Sequence, residues 1–377
     1  YSSFQVGDGP QARSYIMFDI LGGSIRGNTG TPKDQINGML SPLNAYVVAA
    51  WRGYFFTLYQ VNNLISIAEQ FPNSDEAKIA LGESYYFRAY IYYNFVTRWG
   101  GVPILKQNTR DQVARDPAEK VWDFIESELT AAMDILGDSK SYYYVSYDAA
   151  AALMARVKLS RGKMAEAATL AESLIGKYKL DSFEKIFRKT LNTEIIFAFE
   201  NLSDESSINI SDFFYTYAHP NKGQGIMKPT QEIIDLFDDS DKRKDISFVN
   251  ISGQTLINKY PSGQTGRDPV IVSRVAEMYL ISAEAKGRTD GLERLNELRR
   301  FRGLADVSPV PSNDTEFMDA VMLERRRELM AENFQYYDLI RTGRAVDELN
   351  LLPHQVLLPI PGKELLLNPL LEPNPGY

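Results

Sequence analysis

The chain has 377 residues, 44% of them hydrophobic and 24% charged, which suits a packed globular protein and excludes a disordered one. Lys and Arg number 41 against 49 Asp and Glu, and the net charge of −8 argues against a basic nucleic-acid face or a polybasic membrane surface. With no cysteine, disulfides, thiolate nucleophiles and cysteine-held zinc or iron–sulfur sites are excluded, and His219 and His354 are the only histidines.

Residues 1–44 are Gly-rich and open Tyr1-Ser2-Ser3 without a methionine, as a processed or trimmed chain does. Helical periodicity then takes over. Over 45–70 it sets Val48, Trp51, Phe55, Leu58, Val61, Ile65 and Ala68 on one face until Pro72 stops it. A second helix is predicted over 75–98, ended by Gly100-Gly101-Val102-Pro103. Further helices are predicted over 118–136, 147–161, 164–177, 272–286, 290–301, 314–333 and 337–348, with short connections that favour antiparallel pairs. Strand signals are confined to 194–200 and 255–259, so the fold class is mainly α. Residues 201–231 read as a polar, aromatic loop, and 350–377 as a Pro- and Leu-rich terminal segment. No stretch of about 18 apolar residues would span a bilayer as a helix.

Two helix pairs carry a repeat signature. Leu81-Gly82-Glu83-Ser84-Tyr85 fits the core of a tetratricopeptide first helix. Ala155, Gly162, Ala167 and Ala171 supply the small residues that close helix stacking needs, and Ala276, Tyr279 and Ala283 make a looser third case.

Chemistry-bearing motifs are few. Gly7-Asp8-Gly9-Pro10 begins a G-x-G-x-x-A string, but no strand precedes it and a proline interrupts it. Asp238-Asp239-Ser240-Asp241 lacks calcium-loop spacing and reads as a solvated helix end after Phe237. The run Glu324-Arg325-Arg326-Arg327-Glu328, continuing to Glu332, reads as guanidinium forks holding neighbouring helices through carboxylates such as Asp338. No catalytic residue, metal or cofactor is expected. Most aromatics, including Phe55, Phe56, Tyr59, Tyr85 and Tyr92, sit at helical spacing and are assigned to the core. Tyr142-Tyr143-Tyr144 is expected to fold back onto it. The cluster Phe213-Phe214-Tyr215-Tyr217-His219 lies instead among Asn209, Asp212, Asn221 and Lys222, a composition suited to a ligand with an apolar face and a hydroxylated rim.

Taken in order, several blocks resemble the SusD/RagB-like nutrient-binding proteins of the Bacteroidetes outer membrane. In the C-terminal third these are Arg274 to Ala285, Leu295 to Arg299, Glu324 to Glu332, Tyr337 to Gly343, Leu358 to Pro361 and Asn368 to Tyr377. Upstream they are Asn62-Asn63, Phe87 to Tyr90, Arg98 to Pro103, Glu194 to Phe197 and Lys228 to Arg243. The resemblance implies four tetratricopeptide-like pairs with an irregular half packed on them, in a single domain over 1–377. The scaffold would lie mainly in 45–180 and 272–349, the ligand-facing parts in 1–44 and 201–260, and a C-terminal wrap in 350–377.

It further implies a non-catalytic, surface-exposed lipoprotein of the outer membrane. Such a protein is held at the membrane by an N-terminal lipid anchor, whose cysteine would lie upstream of Tyr1, and captures glycans and delivers them to a SusC-like TonB-dependent transporter. No nucleic-acid partner is implied. The chain is short for the family, implying trimmed loops in the ligand-facing half. All three tryptophans precede residue 123, so stacking in 201–231 would fall to Tyr and Phe. A shallow site is expected from loops 22–46 and 209–222, with Tyr215 and Tyr217 stacking and His219, Asn44, Tyr46, Arg26 and Asn28 as neighbours or hydrogen-bond partners. Rival readings are a peptide binder of the same architecture, a helical-repeat glycoside hydrolase and a cytoplasmic tetratricopeptide adaptor.

Overall fold

The long helices form where their periodicity places them. A computed structural model describes residues 1–28, 38–139, 141–188, 191–204 and 209–377. Its principal helices are α1 (Arg13–Leu21), α2 (Ala45–Ala68), α3 (Asp75–Trp99), α4 (Ala118–Ile135), α5 (Tyr147–Ser160), α6 (Met164–Lys177), α7 (Val275–Phe301), α8 (Asp314–Glu328) and α9 (Gln335–Arg341). Caps fix several starts. Ser74 accepts from the Ala77 amide at 3.2 Å, Ser146 from Ala149 at 3.2 Å and Asn313 from Glu316 at 2.9 Å.

From α2 to α8 each helix packs on the next, including α6 on α7, although residues 178–274 separate those two in sequence. Small residues permit the approach. Ala155, Ala167 and Ala171 are fully buried in one cluster with Val275, Met278 and Ile281. A Cβ on Gly82 would lie 2.9 Å from the Leu136 side chain, which gives the L-G-x-x-Y glycine its physical reason. α7 breaks at Gly287, whose φ of +72° is open to glycine, so its second arm turns to pack with α8. The two helices expected over 272–286 and 290–301 are these arms.

Some boundaries differ. Residues Val270–Arg274 form a strand, β6, rather than the start of a helix, because the β-branched run Val270-Ile271-Val272 pairs antiparallel with β2 (Ile195–Phe199). Predicted helix 314–333 stops at Glu328, and 337–348 divides at Thr342-Gly343 into α9 and a short helix at Ala345–Glu348. Two further two-stranded ladders join β1 (Ile25–Gly27) to β3 (Met227–Pro229) and β4 (Phe248–Ile251) to β5 (Gln254–Ile257). The C-terminal segment wraps the end of α3: Trp99 Nε1 donates to the Pro359 carbonyl at 3.1 Å and Asn374 Nδ2 to that of Trp99 at 3.1 Å.

The insertion 178–274 is fastened to the helices by buried charge. Glu328 on α8 lies 2.8 Å from Arg243 and 2.7 Å from Arg302, and also pairs with Arg274. Glu324 meets Arg243 at 2.6 Å, Glu332 meets Arg274 and Lys259 at 2.8 Å, and Glu194 meets Arg302 at 2.9 Å. Burial pushes the Glu328 carboxyl up, but Arg302, Arg274 and Arg243 together hold it well below the usual range. The charged run is therefore structural, and Arg325 reaches Asp338 at 2.7 Å as expected. Asp241 corrects the expectation of a solvated helix end: its side chain is fully buried and paired to Arg243 at 2.7 Å.

Candidate ligand-binding site

The β1–β3 ladder brings the Gly-rich N-terminal segment to the aromatic loop. Arg26 stands directly opposite Lys228, and no ion pair engages either side chain among the described residues. Like charges facing each other across a ladder are unfavourable unless something between them accepts their hydrogen bonds. Asn28 extends the junction, its amide donating to the Ile226 carbonyl at 2.7 Å and its Nδ2 to that of Gly225 at 2.9 Å.

The loop after the short helix Ile210–Phe214 is stapled to residues 258–265. Asn209 Nδ2 donates to the Gly263 carbonyl, Asn221 Nδ2 to Pro261 at 2.7 Å, and the Gln264 amide to the Asn221 carbonyl at 2.8 Å. Part of the loop's amide content thus holds the loop itself.

Its two tyrosines diverge. Tyr215 is 1% exposed, donates from its hydroxyl to Asn258 Oδ1 at 2.6 Å, and lies against His219 with ring centroids 3.6 Å apart. Burial pushes its hydroxyl up to about 12. The expectation of an open stacking face at Tyr215 is corrected on that geometry. Tyr217 is 74% exposed, with Lys222 Nζ 5.7 Å from its ring centre. His219 Nδ1 accepts from the Asn221 amide at 3.0 Å, and desolvation lowers its pKa, so the neutral ring is favoured.

Arg26 and Asn28 therefore share a region with the 209–226 loop, while Asn44 and Tyr46 have other work. Asn44 caps α2, accepting from the Tyr46 and Val47 amides at 3.0 and 3.2 Å. Tyr46 is exposed, and no hydrogen bond or ring contact joins either residue to the 209–222 loop among the described residues. Residues 29–37 of the expected 22–46 loop lie outside the described residues.

A larger concavity was not foreseen. A cleft of about 800 Å³ opens between the 6–9 turn, α2, the 103–113 segment and residues 364–371. Phe56, assigned by spacing to the core, is 56% exposed at its edge, and Tyr59 is also exposed. Tyr144 likewise escapes the core, whereas Tyr142 and Tyr143 pack against it. No three acidic or histidine side chains are placed to hold a metal among the described residues.

Residues 7–159 match the family described as "Starch-binding associating with outer membrane", and residues 247–377 match the "SusD family". The chain belongs to the SusD/RagB-like family. SusD-like protein P38 of Formosa agariphila is 25% identical over 92% of the chain and 83% of its own length. A SusD superfamily structure from Bacteroides vulgatus superposes with a TM-score of 0.87 at 19% identity, covering 100% of the chain and 96% of that structure. A laminarin-binding SusD-like protein superposes with a TM-score of 0.83 at 21% identity, covering 100% and 96%. No described helix is long and apolar enough to cross a membrane.

Proposed function

We propose that this SusD-like chain is a cell-surface glycan-binding protein that captures oligo- or polysaccharides and delivers them to a partner SusC-like TonB-dependent transporter. The observation that carries the reading is Tyr217, an outward-facing ring on a loop stapled at both sides, with Lys222 beside it and the unpaired Arg26 and Lys228 on the adjoining ladder. A pyranose can lay its apolar face on such a ring while cationic side chains donate to its hydroxyls. That a laminarin-binding protein shares the fold supports the ligand class.

The protein would be held at the outer membrane by a lipid anchor and would act as one domain over 1–377. Closure over a transporter would raise the local ligand concentration, so modest affinity would suffice. A binding rather than catalytic role is supported by the laminarin-binding protein that shares the fold. Calorimetric titration with pooled neutral and acidic oligosaccharides, followed by analysis of the recovered sugar, tests this. Saturable binding of intact sugar is expected; binding of peptides alone, or cleavage of the sugar, would overturn it.

A further inference from the structure

The 800 Å³ cleft beside α2 lies within the roughly 300–1,000 Å³ of ordinary small-molecule sites, and its side chains are unusually uncommitted. Three observations converge there. The first is an anchored aromatic wall. Trp51 packs at 5.4 Å on Trp99 and at 5.1 Å on Phe55, which is itself 4.6 Å from Phe95, so that wall is rigid. Phe56 stands beside it with most of its ring open to the cleft and solvent.

The second is polarity that no protein group engages. Trp51 is 2% exposed and lines the cleft, yet its indole Nε1 has no hydrogen-bond acceptor among the described residues. Nor does a hydrogen bond or ion pair engage the side chains of Asp8, Arg52 or Glu364 among them. The Nε1 atom is not one of the buried side-chain nitrogens left without a partner, so it keeps contact with the cleft solvent, and a ligand oxygen would take the place of that water.

The third is rigidity of the far side. Gln112 Nε2 donates to the Leu367 carbonyl at 3.0 Å and Asn368 Nδ2 to the Val113 carbonyl at 2.9 Å, tying the 103–113 segment to the C-terminal wrap. Asp111 is held by the Thr109 hydroxyl at 3.0 Å. The site is thus preformed and loses little on ordering.

We propose that this cleft is a second carbohydrate site, separate from the Tyr217 loop, and that it takes a neutral oligosaccharide. Phe56 is the stacking surface, Trp51 Nε1 donates to a ring or hydroxyl oxygen, and Asp8, Arg52, Asp111 and Glu364 pair with hydroxyls. Charge sets the class. Three carboxylates face one guanidinium, so a uronate or sulfated sugar meets repulsion that a neutral one does not. The proposal rests on the glycan-binding reading, and the experiment separates the two.

The test titrates the full chain with a neutral cello- or malto-hexaose and with an oligogalacturonate, following tryptophan fluorescence and calorimetric heat. Wild type is compared with Tyr217→Ala, Phe56→Ala and Trp51→Phe. Phe56 is exposed, so its substitution leaves the fold intact, and thermal melting checks each variant. A neutral hexaose is expected to bind Tyr217→Ala still and, in that background, to lose about tenfold in affinity on Phe56→Ala and its fluorescence change on Trp51→Phe. The oligogalacturonate is expected to give no Phe56-dependent binding. Abolition of all sugar binding by Tyr217→Ala would overturn the second site while leaving the function standing. Neutral binding indifferent to Phe56→Ala would also overturn it, as would Phe56-dependent binding confined to peptides. Absence of sugar binding to wild type would overturn both readings.

Discussion

The helical stack and the insertion between α6 and α7 are held together by different forces. The stack is joined by small apolar residues, with Ala167, Ala171, Ala276 and Ala283 fully enclosed between helices. The insertion shares the main apolar core through Phe197 and Phe199 and is further fastened by Arg243, Lys259 and Arg274, which converge on the acidic face of α8 and the turn beyond it. A close-packed contact fails gradually as volumes change, whereas a buried ion network fails when one member leaves others unpaired. The insertion should therefore be the more brittle to single substitutions.

The largest expected effect follows from that contrast. Glu328→Ala leaves three guanidinium groups short of a partner and should cost about 3–5 kcal/mol, read as a fall in the denaturation midpoint. A loss below that of the stack variant that follows would erase the distinction between the two regions. In the stack, Gly82→Val drives a side chain towards Leu136 and Ile135 and should cost about 1–3 kcal/mol by chemical denaturation.

A third prediction sharpens the comparison through pH. Burial raises the Asp19 carboxyl to about 7, against hydrogen bonding and Lys259, which lower it. The native state then holds a proton that the unfolded chain releases near pH 4, so the Asp19 contribution is present below about pH 4 and lost as pH rises through about 7. Asp19→Asn should flatten that decline, its stability relative to wild type improving between pH 4 and pH 8 in melting experiments.

The two loop tyrosines give the smallest changes and the cleanest split. Tyr215→Phe removes the bond to Asn258 and should cost about 0.5–1.5 kcal/mol of stability. Tyr217→Ala should alter stability by less than about 0.5 kcal/mol, since the ring is exposed, yet weaken binding of a glycan that uses the loop site. Equal stability losses for the two would show that Tyr217 is also packed.

The sequence carried the stack well because α2, α4 and α6 each keep one apolar face, while α3 beyond Tyr86 and α5 are buried all round and were placed by their apolar runs and the breakers after them. The start of α7 was less legible: Val270 to Val272 serves a strand, and short apolar runs fit either period. The site was only partly legible. Tyr215 and Tyr217 are two residues apart in similar company, and what separates them is Asn258, a partner 43 positions along the chain. The cleft was invisible because four distant segments build it, and because spacing placed Phe56 with the core although it lies on the open side of α2. The run from Glu324 to Glu332 was readable because Glu324 and Glu328 fall one helical turn apart on α8, with Glu332 in the turn beyond it, which left its guanidinium partners to be supplied by other segments.

The chain leaves the stack at the end of α6 and re-enters it at α7, the helix that packs on α6. Both ends of the detour thus reach the same seam, and the β2–β6 ladder draws them together just before re-entry, with the Val275 amide bonded to the Glu194 carbonyl at 2.9 Å. The part carried between them that lies outside the main core, which Phe197, Phe199, Phe214 and Ile257 enter, is free to vary. Its length and surface can diverge during evolution, or be swapped by an engineer, while the helices on either side keep their neighbours, provided that the basic residues that dock on α8 are kept.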